Sequence, residues 1–326
     1  MSELLLTGIS GSHPLGALAA FGLLRCCTAF DVLGGAWLSW RRRADWTPIL
    51  HTGTTATAAY LVELLTFHQA GRSSAPALGF ADDIKMSPDE YVAVLARARE
   101  EASRDNRETC DFLAAFASEA ITARSTGDVK PTAFHMTAGQ QKFVKSAREL
   151  ALSLDATRPL GRRQRAEEIR AECEAAFSEA LFGPWQYRDP YHSLGWDPAT
   201  ESLYALSAIA PTSAGPCSVR AAVWLAFEAL PLFPCAPMSE RLATTGFDAR
   251  SHTFFWPVWT PPIRLDALRS LLASADLTSG PSGLVRLRAR GIAEVFCSRR
   301  ETDANGRGTL RNGMPVEPAG ARRQVS

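Results

Sequence analysis

The chain has 326 residues, of which 46% are hydrophobic and 21% charged, a composition typical of a globular protein and not of a disordered one. A formal net charge of +1 excludes a globally polycationic nucleic-acid binder and an acidic tail. Arginine supplies 31 of the 35 basic residues, so any anion site is expected to consist of planar guanidinium groups.

The N-terminal segment and the cysteines predict a soluble, cytoplasmic protein. Glu3 is acidic and no basic segment precedes the first apolar run, so a signal peptide is not expected. The longest apolar run, 17–24, ends at Arg25 and is shorter than the roughly 20 residues of a membrane helix. Seven cysteines without a C-x-x-C pair are typical of reduced thiols.

The first half of the chain begins with strand, turn, helix and strand and continues as helices. Strands are predicted at 3–7 and 36–40, on either side of a buried helix that starts at Pro14. The turn between them lacks G-x-G-x-x-G, and the chain has no G-x-x-x-x-G-K-[ST], so we predict no nucleotide cofactor. The further predicted helices are 54–69, 87–104, 108–123, 140–153 and 163–181.

In the second half, strands and helices alternate. The predicted strands are 202–206, the aromatic 252–262 and a segment ending at Arg300; the predicted helices are 218–230 and 264–274. Pro257 within the aromatic strand predicts an edge strand or a bulge.

These elements predict an α+β fold, in which a helix-rich middle lies beside a mixed sheet of N-terminal and C-terminal strands. We expect an N-terminal α/β and helical region (1–160), a C-terminal α+β region (161–302) and a mobile tail (303–326).

Residues 181–198, LFGPWQYRDPYHSLGWDP, are the most unusual segment of the chain. Three prolines exclude a helix, and the aromatic content is too high for a solvated linker. We predict an ordered loop whose rings pack on the body of the protein. Its Asp189, His192 and Asp197 could gather around a metal ion or form a hydrolase site, but buried polar groups more often hold a loop by hydrogen bonds. We therefore predict neither a metal site nor catalytic residues.

Clusters of arginine are the second unusual feature, because the protein is nearly neutral overall. Guanidinium groups suit phosphate oxygens, and a few such contacts give salt-dependent affinity for a nucleic-acid backbone. Arg188 and His192 in the loop are candidates for contacts near bases. The full set of predicted nucleic-acid-binding residues is Arg41, Arg42, Arg43, Arg188, His192, Arg286, Arg288, Arg290, Arg299 and Arg300.

Several segments resemble a known family. The opening LLLTGISGSHPLGALAAFGLLR is similar to the start of large-subunit-type CRISPR proteins. The loop 181–198, followed by SLYAL, AAVWLAFEALPLFP and TFFWPVW, resembles in its order of segments the small Cascade subunits of subtype I-G (formerly I-U). The resemblance implies a non-catalytic subunit of an antiviral surveillance complex, with guide RNA, target DNA and other effector-complex subunits as partners.

Two alternatives stay open at this point. An enzyme of the hydrolase type using Asp189, His192 and Asp197 would bring these side chains within hydrogen-bonding reach in a pocket. A protein–protein scaffold would use its arginines in salt bridges.

Overall fold

The computed structural model describes residues 2–103, 106–161, 164–199, 217–248 and 250–317. These residues form an α+β fold with several small antiparallel sheets, which confirms the predicted fold class. The strand predicted at 202–206 lies outside the described residues.

The N-terminal sheet consists of β1 (Ser2–Leu5), β2 (Ala36–Arg42) and β3 (Trp46–Thr52), in the antiparallel order β1-β3-β2. Helix α1 (Pro14–Thr28) packs on this sheet, where the Phe21 and Trp40 rings meet edge to face at 6.3 Å. The helix begins as predicted, because Pro14 occupies its first turn and His13 caps it by accepting a hydrogen bond from the Gly16 N–H.

Helices dominate the middle of the chain, as predicted. They are α2 (Ala58–His68), α3 (Pro76–Gly79), α4 (Pro88–Glu101), α5 (Glu108–Phe116), α6 (Phe143–Ser153) and α7 (Ala166–Phe182). The helix predicted at 108–123 ends at Phe116, because the next residues form strand β4 (Ala117–Thr122), which pairs with β5 (Val129–Pro131). Tertiary pairing overrides local helix propensity here.

The C-terminal part adds three helices and seven strands within the described residues. They are α8 (Arg220–Glu228), β6 (Cys235–Met238), β7 (Arg241–Thr244), β8 (Phe247–Asp248), β9 (Thr253–Trp259), α9 (Leu265–Leu272), α10 (Gly280–Arg288), β10 (Ile292–Thr302), β11 (Gly308–Leu310) and β12 (Met314–Pro315). The larger sheet has the order β11-β10-β9-β8, and β12 also pairs with β10.

The N-terminal and C-terminal strands lie side by side in separate antiparallel sheets, where we predicted one mixed sheet. Among the described residues, an isolated bridge connects β2 to the segment just after β9, where Leu38 and Ile263 exchange backbone hydrogen bonds of 2.9 and 3.0 Å. Pro257 pairs with Val295 of β10 on one side of β9. On the other side, β8 pairs with β9 only as far as Phe254, so the proline, which lacks an N–H, has no β8 residue opposite it.

Helices α1 and α8 form the centre of the core and come from distant parts of the sequence. A Cβ added at Gly22 would lie 1.7 Å from the Leu225 carbonyl oxygen, so the two backbones are in direct contact. Among the described residues, buried hydrophobic side chains from both sides of residue 160 form one cluster. The two predicted regions therefore share a core.

The stretch 303–317 is folded, whereas we predicted a mobile tail from residue 303. It contains β11 and β12, and Leu310 is fully buried. Backbone bonds hold β11 in place, since Gly308 donates to Met136 and Leu310 to Gly195. Pairing between segments that lie far apart in the chain cannot be recognised from amino-acid composition. Within the described part of the chain, no helix is long and apolar enough to cross a membrane.

Candidate nucleic-acid interface

The loop 181–198 is ordered through its aromatic side chains, as predicted. Trp196 is fully buried and donates its indole N–H to the Phe134 carbonyl at 3.0 Å. Trp185, Tyr187 and Tyr191 are partly buried against the core. Tyr187 has a positive φ of 55°, an uncommon conformation for a non-glycine residue that the surrounding packing maintains.

The three polar side chains considered for a hydrolase have different partners. Asp189 accepts from the backbone N–H of Arg220 at 2.8 Å and lies 3.5 Å from its Nη1. His192 interacts with the Gln141 amide at 3.0 Å. Asp197 is fully buried, and its Oδ1 lies 3.3 Å from Nε2 of His13. These contacts fit the role of holding the loop. Nowhere in the described ranges do three His, Cys, Asp or Glu side chains form a group that could hold a metal ion.

His13 links this loop to the start of α1 and was not identified from the sequence as a partner of the loop. Its Nδ1 accepts the Gly16 N–H at 3.3 Å, so Nε2 carries the proton that faces Asp197. Burial and the Asp197 carboxylate raise the pKa of the neighbouring Tyr187 hydroxyl. The His-Pro pair before a helix was the available signal, but it indicates a helix cap and not the distant carboxylate.

Two of the three arginines at the end of β2 are engaged with acids. Arg41 pairs with Glu3 at 3.2 Å, and Arg42 pairs with Glu294 at 3.1 Å. Arg42 also lies over the ring of Trp46, at 5.5 Å from its centroid. Arg43 is exposed and has no carboxylate partner among the described residues.

Two arginines in and just after α10 meet a single acid. Asp276 lies 2.7 Å from Nε of Arg286 and 3.2 Å from Nη1 of Arg290. Arg288 and the loop residue Arg188 are exposed, and no described carboxylate pairs with them. The predicted cluster 286–290 is therefore partly neutralised, which reduces its attraction for phosphate.

The hairpin formed by β10 and β11 carries arginines of a different kind. Arg299 and Arg307 are exposed, and neither forms a salt bridge with a carboxylate in the described ranges. Glu301 pairs with Arg311, and the positive charge of Arg299 helps to lower the pKa of Glu301. Arg300 is partly buried and donates from Nη1 to the Ala133 carbonyl at 3.1 Å. Its Nε is buried without a hydrogen-bond partner, and burial lowers the pKa of its guanidinium. A buried cation without a carboxylate is costly, and such uncompensated charge is characteristic of binding sites.

His192 lies beside this hairpin. Burial, together with the positive charge of Arg307, lowers the pKa of its imidazole, so the ring is neutral near pH 7. We call Arg299, Arg300, Arg307 and His192 the hairpin surface, a name for the basic residues of this hairpin and the histidine beside it. Arg299 and Arg300 are consecutive residues of β10, so their side chains point to opposite faces of the sheet. The sequence predicted three of its members and missed Arg307, although that residue lies in the same basic stretch.

A second charged cluster lies inside the protein and is structural. Glu228 of α8 is fully buried between Arg25 and Arg72, and Glu108 of α5 hydrogen-bonds to both arginines. Two cations and two anions balance, so this cluster offers no net charge to a ligand. It joins α1, α5 and α8 with the segment after α2.

Comparison with known proteins gives no further assignment, since no family model, curated protein or solved structure matches this chain.

Proposed function

We propose that this protein is a non-catalytic, nucleic-acid-binding subunit of a CRISPR surveillance complex and that it contacts phosphates through the hairpin surface. The observation that carries the binding proposal is the pairing of the arginines. Arg286 and Arg290 share a carboxylate, whereas Arg299, Arg300 and Arg307 form no salt bridge among the described residues, and Arg299 acts on Glu301 only through its charge. Guanidinium groups without internal partners are available to phosphate oxygens.

Arg300 adds a positional argument. Its Nη1 is fixed by the Ala133 carbonyl, so the guanidinium is held in place before any ligand arrives. A preorganised donor loses less conformational entropy on binding than a free surface arginine. A phosphate beside Arg300 would also supply the negative charge that the surrounding protein does not.

The assignment to a CRISPR complex is supported by the resemblance of the opening segment and of the order of segments from 181 to 260. On that basis the nucleic acids are guide RNA and target DNA, the protein partners are the other effector subunits, and the location is the cytoplasm. Arg43, Arg188 and Arg288 are further candidate backbone contacts, because they are exposed and no described carboxylate pairs with them.

The binding proposal is tested by the salt dependence of affinity for single-stranded RNA. Each phosphate contact contributes a slope of about −0.7 to log K against log salt for single strands. We expect the double variant Arg299→Ala/Arg307→Ala to make the slope shallower by about 1.4. Fluorescence anisotropy between 50 and 200 mM salt measures this slope.

The matched control is Arg286→Ala/Arg290→Ala, which removes the same charge from residues that already pair with Asp276. We expect its slope to stay close to that of the unmodified protein. Equal effects of the two double variants would show that net charge alone determines binding and would contradict the assignment to the hairpin surface.

The assembly proposal is tested by tagged purification after co-expression with the genomic neighbours. Recovery of a guide-length RNA together with other effector subunits is the expected result. A monomer that carries neither nucleic acid nor partner proteins would refute the assignment.

A further inference from the structure

A cavity of about 410 Å³ opens between α6 and the loop residues 190–192. Its volume is in the range of sites that bind small organic groups. Leu150, Leu152 and Pro190 provide apolar walls, and Tyr191 and His192 contribute rings. Apolar walls with a few convergent polar groups are typical of a ligand site.

The charged groups of the cavity indicate which ligand it would accept. Arg158 lines it but is already engaged, donating to the Ser153 carbonyl at 2.7 Å and to Glu172 at 2.7 Å. Glu149 lines the cavity as an exposed carboxylate and has no cation partner among the described residues. A negative charge without a partner disfavours an anion in the cavity and favours a neutral ligand that carries N–H donors.

The position of the cavity connects it to the hairpin surface. His192 belongs to both, and it lies within electrostatic range of Arg307. Gln141 contacts the imidazole at 3.0 Å and holds it in place. A ligand could therefore place a flat, neutral part in the cavity, in contact with the rings of Tyr191 and His192 and with Glu149. A phosphate attached to that part would lie outside the cavity, near Arg307.

We propose that this cavity binds a single unpaired nucleobase that carries an exocyclic amino group, with the amino group on Glu149 and the adjoining phosphate near Arg307. Adenine, cytosine and guanine carry such an amino group, whereas uracil and thymine offer the carboxylate only a ring N–H that is flanked by two carbonyl oxygens, which repel it. Tyr191 and His192 supply surfaces on which a base can stack. The inference rests on the proposed function and adds base preference to it.

The test compares binding of oligo-A, oligo-C and oligo-U RNA of equal length at one salt concentration. We expect oligo-A and oligo-C to bind about tenfold more tightly than oligo-U, in line with one good base contact. Glu149→Gln should reduce this ratio towards one, because an amide can also donate to the uracil carbonyls. Tyr191→Ala should weaken all three by about tenfold through lost stacking, without changing the salt slope.

Glu119→Gln is the matched control, because it removes the same charge as Glu149→Gln. Glu119 is exposed and does not line the cavity. If the ratio is unchanged in Glu149→Gln, or falls equally in Glu119→Gln, the inference is overturned. Binding that depends on Arg299 and Arg307 but not on Glu149 or Tyr191 would overturn the base site and leave the proposed function intact.

If none of the RNAs binds, the proposed function fails. The base site is then tested separately, by titrating the protein with cytidine monophosphate. Saturable binding that weakens in Tyr191→Ala supports the base site, and absence of binding overturns it.

Discussion

Replacement of Glu108 by glutamine should destabilise the protein at neutral pH and much less in acid. Glu108 accepts from Arg72 at 2.5 and 2.8 Å and from Arg25 at 2.8 Å. Burial acts to raise the pKa of this carboxyl, but the hydrogen bonds and charges of Arg72 and Arg25 outweigh burial and lower it from 4.5 to about 2.

The pKa difference sets the magnitude and the pH range of the effect. Each pKa unit corresponds to about 1.4 kcal/mol, so the full difference is about 3 kcal/mol. Because 32% of the side chain is exposed, we expect solvent screening to reduce this to about 2–3 kcal/mol. A folded-state pKa below the unfolded value gives stability that is present above pH 4.5 and lost as the pH falls towards 2.

Thermal unfolding followed by circular dichroism measures this effect. With an unfolding entropy of about 2.1 cal/mol/K per residue, the expected loss corresponds to a Tm lower by about 3–4 °C at pH 7. Less than half of the Tm difference should remain at pH 3, because the stability that the lowered pKa of Glu108 provides is lost between pH 4.5 and pH 2.

Glu174→Gln is the control for Glu108→Gln, because Glu174 makes an exposed pair with Arg170 within α7 and should change stability by less than about 0.5 kcal/mol. A Tm difference for Glu108→Gln that is the same at pH 3 and pH 7 would refute the reasoning, since it would show that packing and not charge carries the effect.

The remaining predictions concern the core. Gly22→Ala should abolish soluble expression, because the new methyl group would overlap the Leu225 carbonyl, whereas Gly79→Ala, with no atom within 4 Å, should express normally. If Gly22→Ala expresses and melts like the unmodified protein, the α1–α8 contact is looser than described. Trp196→Phe should cost about 1–3 kcal/mol in urea unfolding, because the Phe134 carbonyl loses its buried donor. An unchanged unfolding midpoint would contradict this role for the indole N–H.

Local chemistry made several features predictable from the sequence. The start of the helix predicted at 87–104 is confirmed, because Ser87 caps α4 and forms a capping box with Glu90 through both hydrogen bonds. The prolines and rings of 181–198 predicted an ordered, packed loop. The type of each of these elements depends on side chains close together in the sequence, so spacing and composition were sufficient.

The partners of the charged groups could not be predicted, because pairing across a fold depends on which elements become neighbours. Asp276 pairs with Arg286 and Arg290 and partly neutralises them, while Arg300 lies against a carbonyl and forms no salt bridge in the described part of the chain. The segment 286–290 and the pair at 299–300 are both basic clusters in the sequence, so the sequence does not distinguish them. The difference between a neutralised cluster and a candidate phosphate site therefore arises only from tertiary contacts.

The sequence by itself determined the α+β class, the helical middle, the aromatic loop and the presence of basic clusters, because these follow from periodicity, turn residues and composition. The tertiary structure decided which arginines keep their charge available, which of Asp189, His192 and Asp197 meet which partners, and that residues 308–310 complete a sheet. Each of these depends on contacts between segments far apart in the chain, and short-range patterns carry no information about such contacts.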